Sequence, residues 1–217
     1  MPLKTQMKTL GEAKESDAAC IADIHIAAFE TNVQFIAQFP TPPVRKGLWT
    51  SLRDKAISEI RDPKWVVLVV RNEEDQVIGF AKWCRPILKS ENYEEPPWQW
   101  PEGTNMAALN EWTAKVEAAN AKILHNTPCY RLSFCATDPR YQRQGVASLL
   151  VGWGMRRSKE ENIPVALEST PEGTIFYEKL GFKAEGRISM QLDGVGQDGA
   201  SVLYEETCFV FWPDFVG

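Results

Sequence analysis

One stretch constrains the fold more than any other: an extended run from Tyr130 to Thr137, a break at Asp138-Pro139, and a helix opened by Gly145. In the run, Tyr130, Leu132 and Phe134 alternate with Arg131, Ser133 and Cys135, the two-residue period of a strand. In the helix, Val146, Leu149, Leu150 and Trp153 mark one face, and Arg156, Arg157 and Lys159 lie near the C-terminal end, where positive charge suits the dipole. Asn162 and Pro164 end it. A strand that turns into a helix N-terminus must bury one face of each against a common core, which points to a mixed α/β chain.

The flanking segments keep that alternation. Ser16 is placed to cap a helix running to about Glu30, with Ile21, Ile24 and Ala28 on one face. From Pro43, the residues Val44, Leu48, Leu52, Ala56 and Ile60 recur every four positions until Arg61-Asp62-Pro63 stops a second helix. Trp65 to Arg71 is short and β-branched, so it reads as a buried strand, and the polar turn Asn72 to Gln76 returns it as a hairpin into Val77 to Trp83. Beyond the Gly145 helix come a strand from Val165 to Glu168 and a short helix from Pro171 to Leu180 stopped by Gly181. Two terminal strands follow, around Phe182 to Leu192 and Ser201 to Trp212, joined by a glycine-rich turn. Between Arg85 and Trp100 prolines and aromatics mix with acids, and a helix-prone stretch from Thr104 to Leu124 follows. At roughly 150 residues per domain, 217 residues fit a single domain spanning the chain with an insertion at about 85–126.

Composition excludes several classes. A formal net charge of -5 opposes the basic footprint that nucleic acid binding needs. The longest apolar run, Trp65 to Val70, is far below the ~20 residues that span a bilayer, and Met1-Pro2-Leu3-Lys4 leads into no apolar signal segment. A cytoplasmic protein without a membrane partner is expected. The five cysteines are odd in number and form no CxxC pair, so neither a disulfide framework nor a metal site is indicated.

The loop Gln142-Arg143-Gln144-Gly145-Val146-Ala147 enters its helix where the first-turn N–H groups lack intrahelical partners, which makes an anion site suited to a pyrophosphate. Gly145 and Ala147 leave room for close approach, although an ordinary helix entry with small packing residues reads equally well from these positions alone. A second segment follows in order: Leu167-Glu168-Ser169-Thr170-Pro171-Glu172-Gly173, then Thr174-Ile175-Phe176 and Tyr177-Glu178-Lys179-Leu180-Gly181-Phe182. With both segments in order and at the family's spacing, the chain resembles the GNAT superfamily of acyl-CoA-dependent N-acetyltransferases. Its Leu167 to Gly173 form is similar to a variant frequent among fungal members.

The resemblance implies a GNAT-like fold: a central mixed sheet of six to seven strands, splayed between two parallel strands, here Tyr130 to Thr137 and Val165 to Glu168, and flanked by helices. It implies acetyl-CoA as cosubstrate and no metal. Gln142, Arg143, Gln144, Gly145, Val146 and Ala147 would cradle the pyrophosphate, Ser148 would add a hydroxyl, and backbone groups of Cys135, Ala136 and Thr137 would pair with pantetheine as an extra strand. Phe176 and Lys179 complete the implied acetyl-CoA set. Tyr177 stands where family members place the general acid; a phenol of ordinary pKa near 10 stays protonated at neutral pH and can donate to the leaving thiolate. The alternative is a tyrosine that merely packs.

The base is less defined. Glu168, at a strand end beside the implied gap, can accept a proton directly or through water, or can simply neighbour a helix start. Relatives that use a glutamate on the strand corresponding to Tyr130–Thr137 find none here. His25 and His125 read as structural or surface residues, and Cys135, with no histidine nearby in sequence, as packing.

For the acceptor, Phe29, Trp98 and Trp100 are the candidate substrate-binding residues. Tyr93, Trp98 and Trp100 with Glu91, Glu94 and Glu95 would make an aromatic and acidic wall for a cationic amine, unless the rings only cover the insertion's own core. The expected activity is acetyl transfer to a primary amine of a small molecule or peptide in a ternary complex, by a monomer or homodimer. The alternatives are acetylation of a protein N-terminus or lysine, and a CoA-binding regulator without turnover.

Overall fold

The computed structural model describes residues 7–213; residues 1–6, on which the N-terminal reading falls, lie outside them. Seven strands form one sheet in the order β1-β2-β3-β4-β5-β7-β6. They are β1 (Thr9–Glu12), β2 (Trp65–Arg71), β3 (Val77–Cys84), β4 (Tyr130–Thr137), β5 (Val165–Ser169), β6 (Lys183–Leu192) and β7 (Val202–Phe211). The six helices are α1 (Ala18–Phe29), α2 (Val33–Gln38), α3 (Pro42–Arg61), α4 (Met106–Leu124), α5 (Val146–Glu161) and α6 (Thr174–Lys179). The mixed α/β fold expected from the sequence is present. β4 and β5 pair in parallel, and every other neighbouring pair is antiparallel.

The parallel pair is also where the sheet opens. Pairing runs only through Tyr130 with Val165, Arg131 with Ala166 and Leu132 with Leu167. On its other side β4 stays paired to β3 as far as Thr137, but the register slips between Lys82 and Trp83, leaving Ser133 as an extra residue in β4. Such a bulge bends its strand and increases its twist. The bend falls at the residue where β4 parts from β5, so Ser133 to Thr137 form the free side of a splay.

α5 and α6 cover one face over a continuous core that includes Leu68, Trp83, Leu132, Leu150, Leu167 and Phe209. Gly154 of α5 lies against the Trp83 indole so closely that any side chain there would displace the ring. The other face carries α1 to α4.

The structure departs from the sequence reading in a few local places. Ser16 does not cap α1; it lies in a 3-10 turn, and the cap position falls to Asp17, whose carboxylate accepts from the Lys14 amide at 2.8 Å and from Arg71 at 2.7 Å. α3 begins at Pro42 rather than Pro43. Leu149 points outward, and the buried face of α5 runs through Val146, Leu150, Val151, Gly154 and Ser158. β1 and α2 were not anticipated. β1 is a four-residue, mostly exposed edge strand with no apolar alternation, and α2 is a six-residue helix capped by Asn32, whose Oδ1 accepts from the Gln34 and Phe35 amides at 2.9 and 3.2 Å.

Candidate active site

Three features meet at the open half of β4. The first is the loop into α5. Asp138 caps a 3-10 turn, Pro139–Tyr141, by accepting from the Arg140 amide at 3.0 Å and holding the Arg140 guanidinium. The chain then enters the left-handed region at Arg143 (φ 61°) and again at Gly145 (φ 82°), and the first helical bond runs from the Leu149 amide to the Gly145 carbonyl at 3.2 Å. Backbone that turns this way presents successive N–H groups to one side, a concavity suited to an anion. Gln142, Arg143, Gln144, Gly145 and Ser148 are exposed, Ala147 is half-buried, and Val146 is buried beneath them as the anchor of the turn. A Cβ built on Gly145 would meet nothing within 4 Å, so the space above the loop is open. These groups fit a pyrophosphate.

The second feature is Tyr177 on α6. Its ring packs against Phe176, Phe182 and Phe209 at centroid distances of 5.1, 5.6 and 6.0 Å. Burial raises its phenol well above the ordinary value, and the nearby Cys135 and Glu206 act in the same direction, so it keeps its proton throughout the neutral range. Cys135 of β4 packs, like Tyr177, against the core cluster beneath α5 and α6, and burial pushes its thiol up to about 12. That value suits a packed side chain and opposes a thiolate nucleophile. Lys179 is exposed on the last turn of α6.

The third is the opposite face, where Glu168 lies. Its Oε1 accepts from Asn120 of α4 at 2.8 Å, and its Oε2 sits 3.5 Å from the Arg131 guanidinium. Around the open half of β4 on this side, Phe134 meets His25 at 4.8 Å and Trp98 edge-on at 6.3 Å, while His25 meets Phe29 at 5.0 Å. His25 is buried, and burial together with the Lys82 charge lowers it to about 3, so it stays neutral. His125 lies elsewhere, ending α4 in a left-handed conformation.

A strand parted from its parallel neighbour, an amide-lined loop at the same strand's end and a phenol that keeps its proton are thus brought to one part of the molecule, and comparison with known proteins gives the family of the chain. A family model described as the acetyltransferase (GNAT) family matches residues 30–182, well over half of the chain. The chain belongs to the GNAT acetyltransferase family. A probable acyltransferase, SID5, from Ajellomyces capsulatus is 43% identical over 42 residues, which is 19% of this chain and 31% of that protein, so the match spans less than a third of the relative's length. Among solved structures, a histone acetyltransferase HPA2 and related acetyltransferase from Corynebacterium glutamicum superposes with a TM-score of 0.60 at 22% identity, covering 96% of this chain and 97% of that one. The PaiA N-acetyltransferase from Thermoplasma acidophilum, solved with coenzyme A, gives 0.56 at 12% identity over 95% and 99%. At these identities the two structures bear on the fold alone.

Within this GNAT frame the cofactor-side residues expected from sequence lie together: Cys135 to Thr137 on the free stretch of β4, Gln142 to Ser148 at its end, and Phe176 and Tyr177 on α6. Of the expected acceptor-side residues, Phe29 and Trp98 reach the splay, whereas Trp100 stacks on Trp98 at 4.6 Å and packs on Phe39 at 5.8 Å. Two acids of the expected wall are engaged by the chain itself, Glu95 pairing with Lys55 at 2.6 Å and Glu91 with Lys64, and the Tyr93 hydroxyl donates to Asp62 at 2.7 Å. The ammonium groups of Lys55 and Lys82 stand 5.3 and 5.6 Å from the Trp98 ring centroid, so much of that indole already faces internal cations. Sequence reasoning missed Glu206, Tyr204 and Asn32, which are joined by hydrogen bonds beside the gap. A signal existed: Glu206 is an acid at an inward position of a strand whose Tyr204, Cys208 and Val210 are all buried. Among the described residues no helix is long and apolar enough to cross a membrane, and no group of three or more His, Cys, Asp or Glu could hold a metal ion.

Proposed function

We propose that this chain transfers an acetyl group from acetyl-CoA to a primary amine of a small molecule or peptide, by direct attack in a ternary complex within a single domain whose 85–126 segment is an insertion. The observation that carries the reading is Tyr177, a half-buried phenol that keeps its proton and packs on the same core cluster as Cys135 on the free half of β4, the strand that leads into the amide-lined loop. Acetyl-CoA supplies an activated acyl carbon with a thiolate leaving group. Gln142 to Ser148 hold its pyrophosphate, the free backbone edge at Cys135 to Thr137 holds its pantetheine arm, and Phe176 and Lys179 border it. The amide of Cys135 or Ala136 polarises the acetyl carbonyl, and Tyr177 gives its proton to the departing sulfur.

On the acceptor side, Phe29 and Trp98 border the amine with Phe134. Both oxygens of Glu168 are engaged, by Asn120 and Arg131, so we assign it to lining the acceptor's approach to the gap. Calorimetric titration with acetyl-CoA, CoA and ATP is the first test: binding of both CoA species with no response to ATP supports the reading, and absence of CoA binding ends it. Tyr177→Phe then lowers turnover by about 10²-fold with little change in acetyl-CoA affinity. Unchanged turnover removes Tyr177 from the chemistry.

A further inference from the structure

Glu206 lies outside the segment that the family model matches. It sits opposite Ile188 of β6, and it is the first residue of β7 past the end of β5, because Ser169, the last residue of β5, pairs with Thr207. No strand therefore covers it on the side of the splay. It lies on the same sheet face as Glu168, whose register partner Cys208 is two positions along β7.

Its carboxylate is held from a distance. Oε1 accepts from the Tyr204 hydroxyl at 2.7 Å, that hydroxyl accepts from Asn32 Nδ2 at 3.0 Å, and Asn32 is fixed in turn as the cap of α2. A chain of hydrogen bonds thus runs from the turn between α1 and α2 to the mouth of the gap. The geometry points to Glu206 as the base that takes the proton from the acceptor's ammonium form, with Tyr204 and Asn32 as positioning residues. This inference rests on the acetyl-transfer reading above.

The surroundings suit that role. The titratable groups whose charges bear on Glu206, or on which its charge bears, are Glu168 of β5, Glu172 of the turn before α6, Tyr177 of α6, and Tyr204 and Cys208 of its own strand. The residue opposite on β6, Ile188, is apolar, while Arg131 of β4 and Asn120 of α4 engage Glu168. Burial and the charges of Glu168 and Glu172 push the Glu206 carboxyl up to about 7, against the pull of the Tyr204 hydrogen bond. A group half ionised at neutral pH can both accept a proton and release it within a turnover, which an ordinary carboxylate does poorly. Tyr177, raised far beyond it, remains the acid, so the two environments separate the two roles.

R–NH3+ gives one proton to the Glu206 carboxylate, leaving R–NH2 and a neutral carboxylic acid. The nitrogen lone pair forms the C–N bond as the C–S bond breaks, and sulfur keeps that bond's electron pair and takes the Tyr177 proton. The second nitrogen proton returns to the Tyr177 phenolate through water. Glu206 then loses its proton to solvent, so ammonium and thioester give amide, thiol and one released proton.

The test uses the full chain and two readouts. In carbon-13 NMR of glutamate-labelled protein without substrates, one carboxyl is expected to titrate near 7, to vanish in Glu206→Gln, and to titrate higher in Tyr204→Phe, which loses the hydrogen bond to the ionised form. With acetyl-CoA and 2-phenylethylamine, Glu206→Gln is expected to lower kcat/KM about 10²-fold, to abolish the acid limb near pH 7 and to leave acetyl-CoA affinity unchanged in calorimetry. Tyr204→Phe is expected to move that limb upward, which a merely structural role would not do. Absence of any carboxyl titrating above pH 6, or an unchanged rate and profile in Glu206→Gln, overturns the inference and leaves acetyl transfer standing. Failure of the wild-type chain to bind acetyl-CoA overturns the proposed function instead, whatever Glu206 titrates at.

Discussion

The two faces of the sheet are built on different terms. Beneath α5 and α6, buried apolar side chains from β2, β3, β4, β5 and β7 form one continuous cluster, and the polar groups proposed to meet acetyl-CoA are mostly backbone amides at its rim. Beneath α1 to α4 the apolar residues among those described fall into five smaller clusters, and Glu59, Lys82 and His25 are buried near them. The contrast teaches that a site for a ligand met through backbone can coexist with an uninterrupted core. A site that must discriminate and deprotonate an amine requires buried side-chain charge, and each such charge costs desolvation.

The strongest way to break that contrast is at Lys82. Its ammonium lies 2.6 Å from Glu59 with both side chains about 1% exposed; burial pushes the lysine down and the glutamate up, and each partner's charge opposes the shift of the other. Lys82→Met strands the Glu59 carboxyl without its direct partner, leaving only the Lys55 charge nearby, and is expected to cost about 3–5 kcal/mol in urea unfolding. Adding Glu59→Leu should return most of it. A single-variant loss below about 1 kcal/mol would mean that this face tolerates an unpaired acid, and the contrast would be one of shape alone.

Glu206 offers the next largest effect. Its folded carboxyl near 7 stands above the ordinary 4.5, so the folded state holds a proton that the unfolded chain has released between those values. The contribution to stability is greatest below about 4.5 and falls as pH rises through 7, by about 3 kcal/mol in all. Glu206→Gln is expected to remove that slope, so relative to wild type it should be more stable at pH 8 than at pH 5. Parallel unfolding curves for the two proteins across that range would place the carboxyl in an ordinary solvent environment.

On the other face the expected effects are smaller and act through backbone. Gly145→Val meets no steric obstacle, since the space around it is open, but it puts a β-branched residue at φ 82°. That conformation costs roughly 1–2 kcal/mol, and the loop amides shift to relieve it. We expect acetyl-CoA affinity to fall about tenfold in calorimetry, with the Glu206 titration unmoved. An equal disturbance of Glu206 would show that the faces are coupled through the splay.

The same contrast decides what could be read from the sequence. β2, β3, β4 and α5 follow from period and punctuation, because a continuous core imposes an unbroken apolar pattern: Trp65–Arg71 and Tyr130–Thr137 were bounded to the residue. The loop and Tyr177 followed from a linked motif. The splay was implied by the family resemblance, but its position at Ser133 was not legible, since a bulge depends on the register of the partner strand. On the acceptor face, acids sort by tertiary environment: Glu91 and Glu95, proposed to recognise substrate, are neutralised by Lys64 and Lys55, while Glu206 gains its proton affinity from burial and then from Glu168, 38 positions earlier in sequence but on the neighbouring strand. Local pattern carries none of that. The inward alternation of β7 does mark Glu206 as an acid where an apolar residue belongs.

The smallest effect is at Arg143, where charge and backbone can be separated. Arg143 has φ 61°, a conformation that a non-glycine residue holds at a cost of about 1–2 kcal/mol, and its guanidinium is exposed beside the loop amides. Arg143→Gly removes both strain and charge, so it is expected to raise stability by up to about 1 kcal/mol while weakening acetyl-CoA binding about threefold at low salt. Arg143→Asn keeps a residue that tolerates the left-handed region and removes only the charge, so its affinity should match that of the glycine variant while its stability rises less. If the two variants differ in affinity by more than about threefold, the backbone shape of the loop outweighs the guanidinium. The face beneath α5 would then recognise its ligand almost entirely through main-chain groups, at the opposite extreme from the charged face across the sheet.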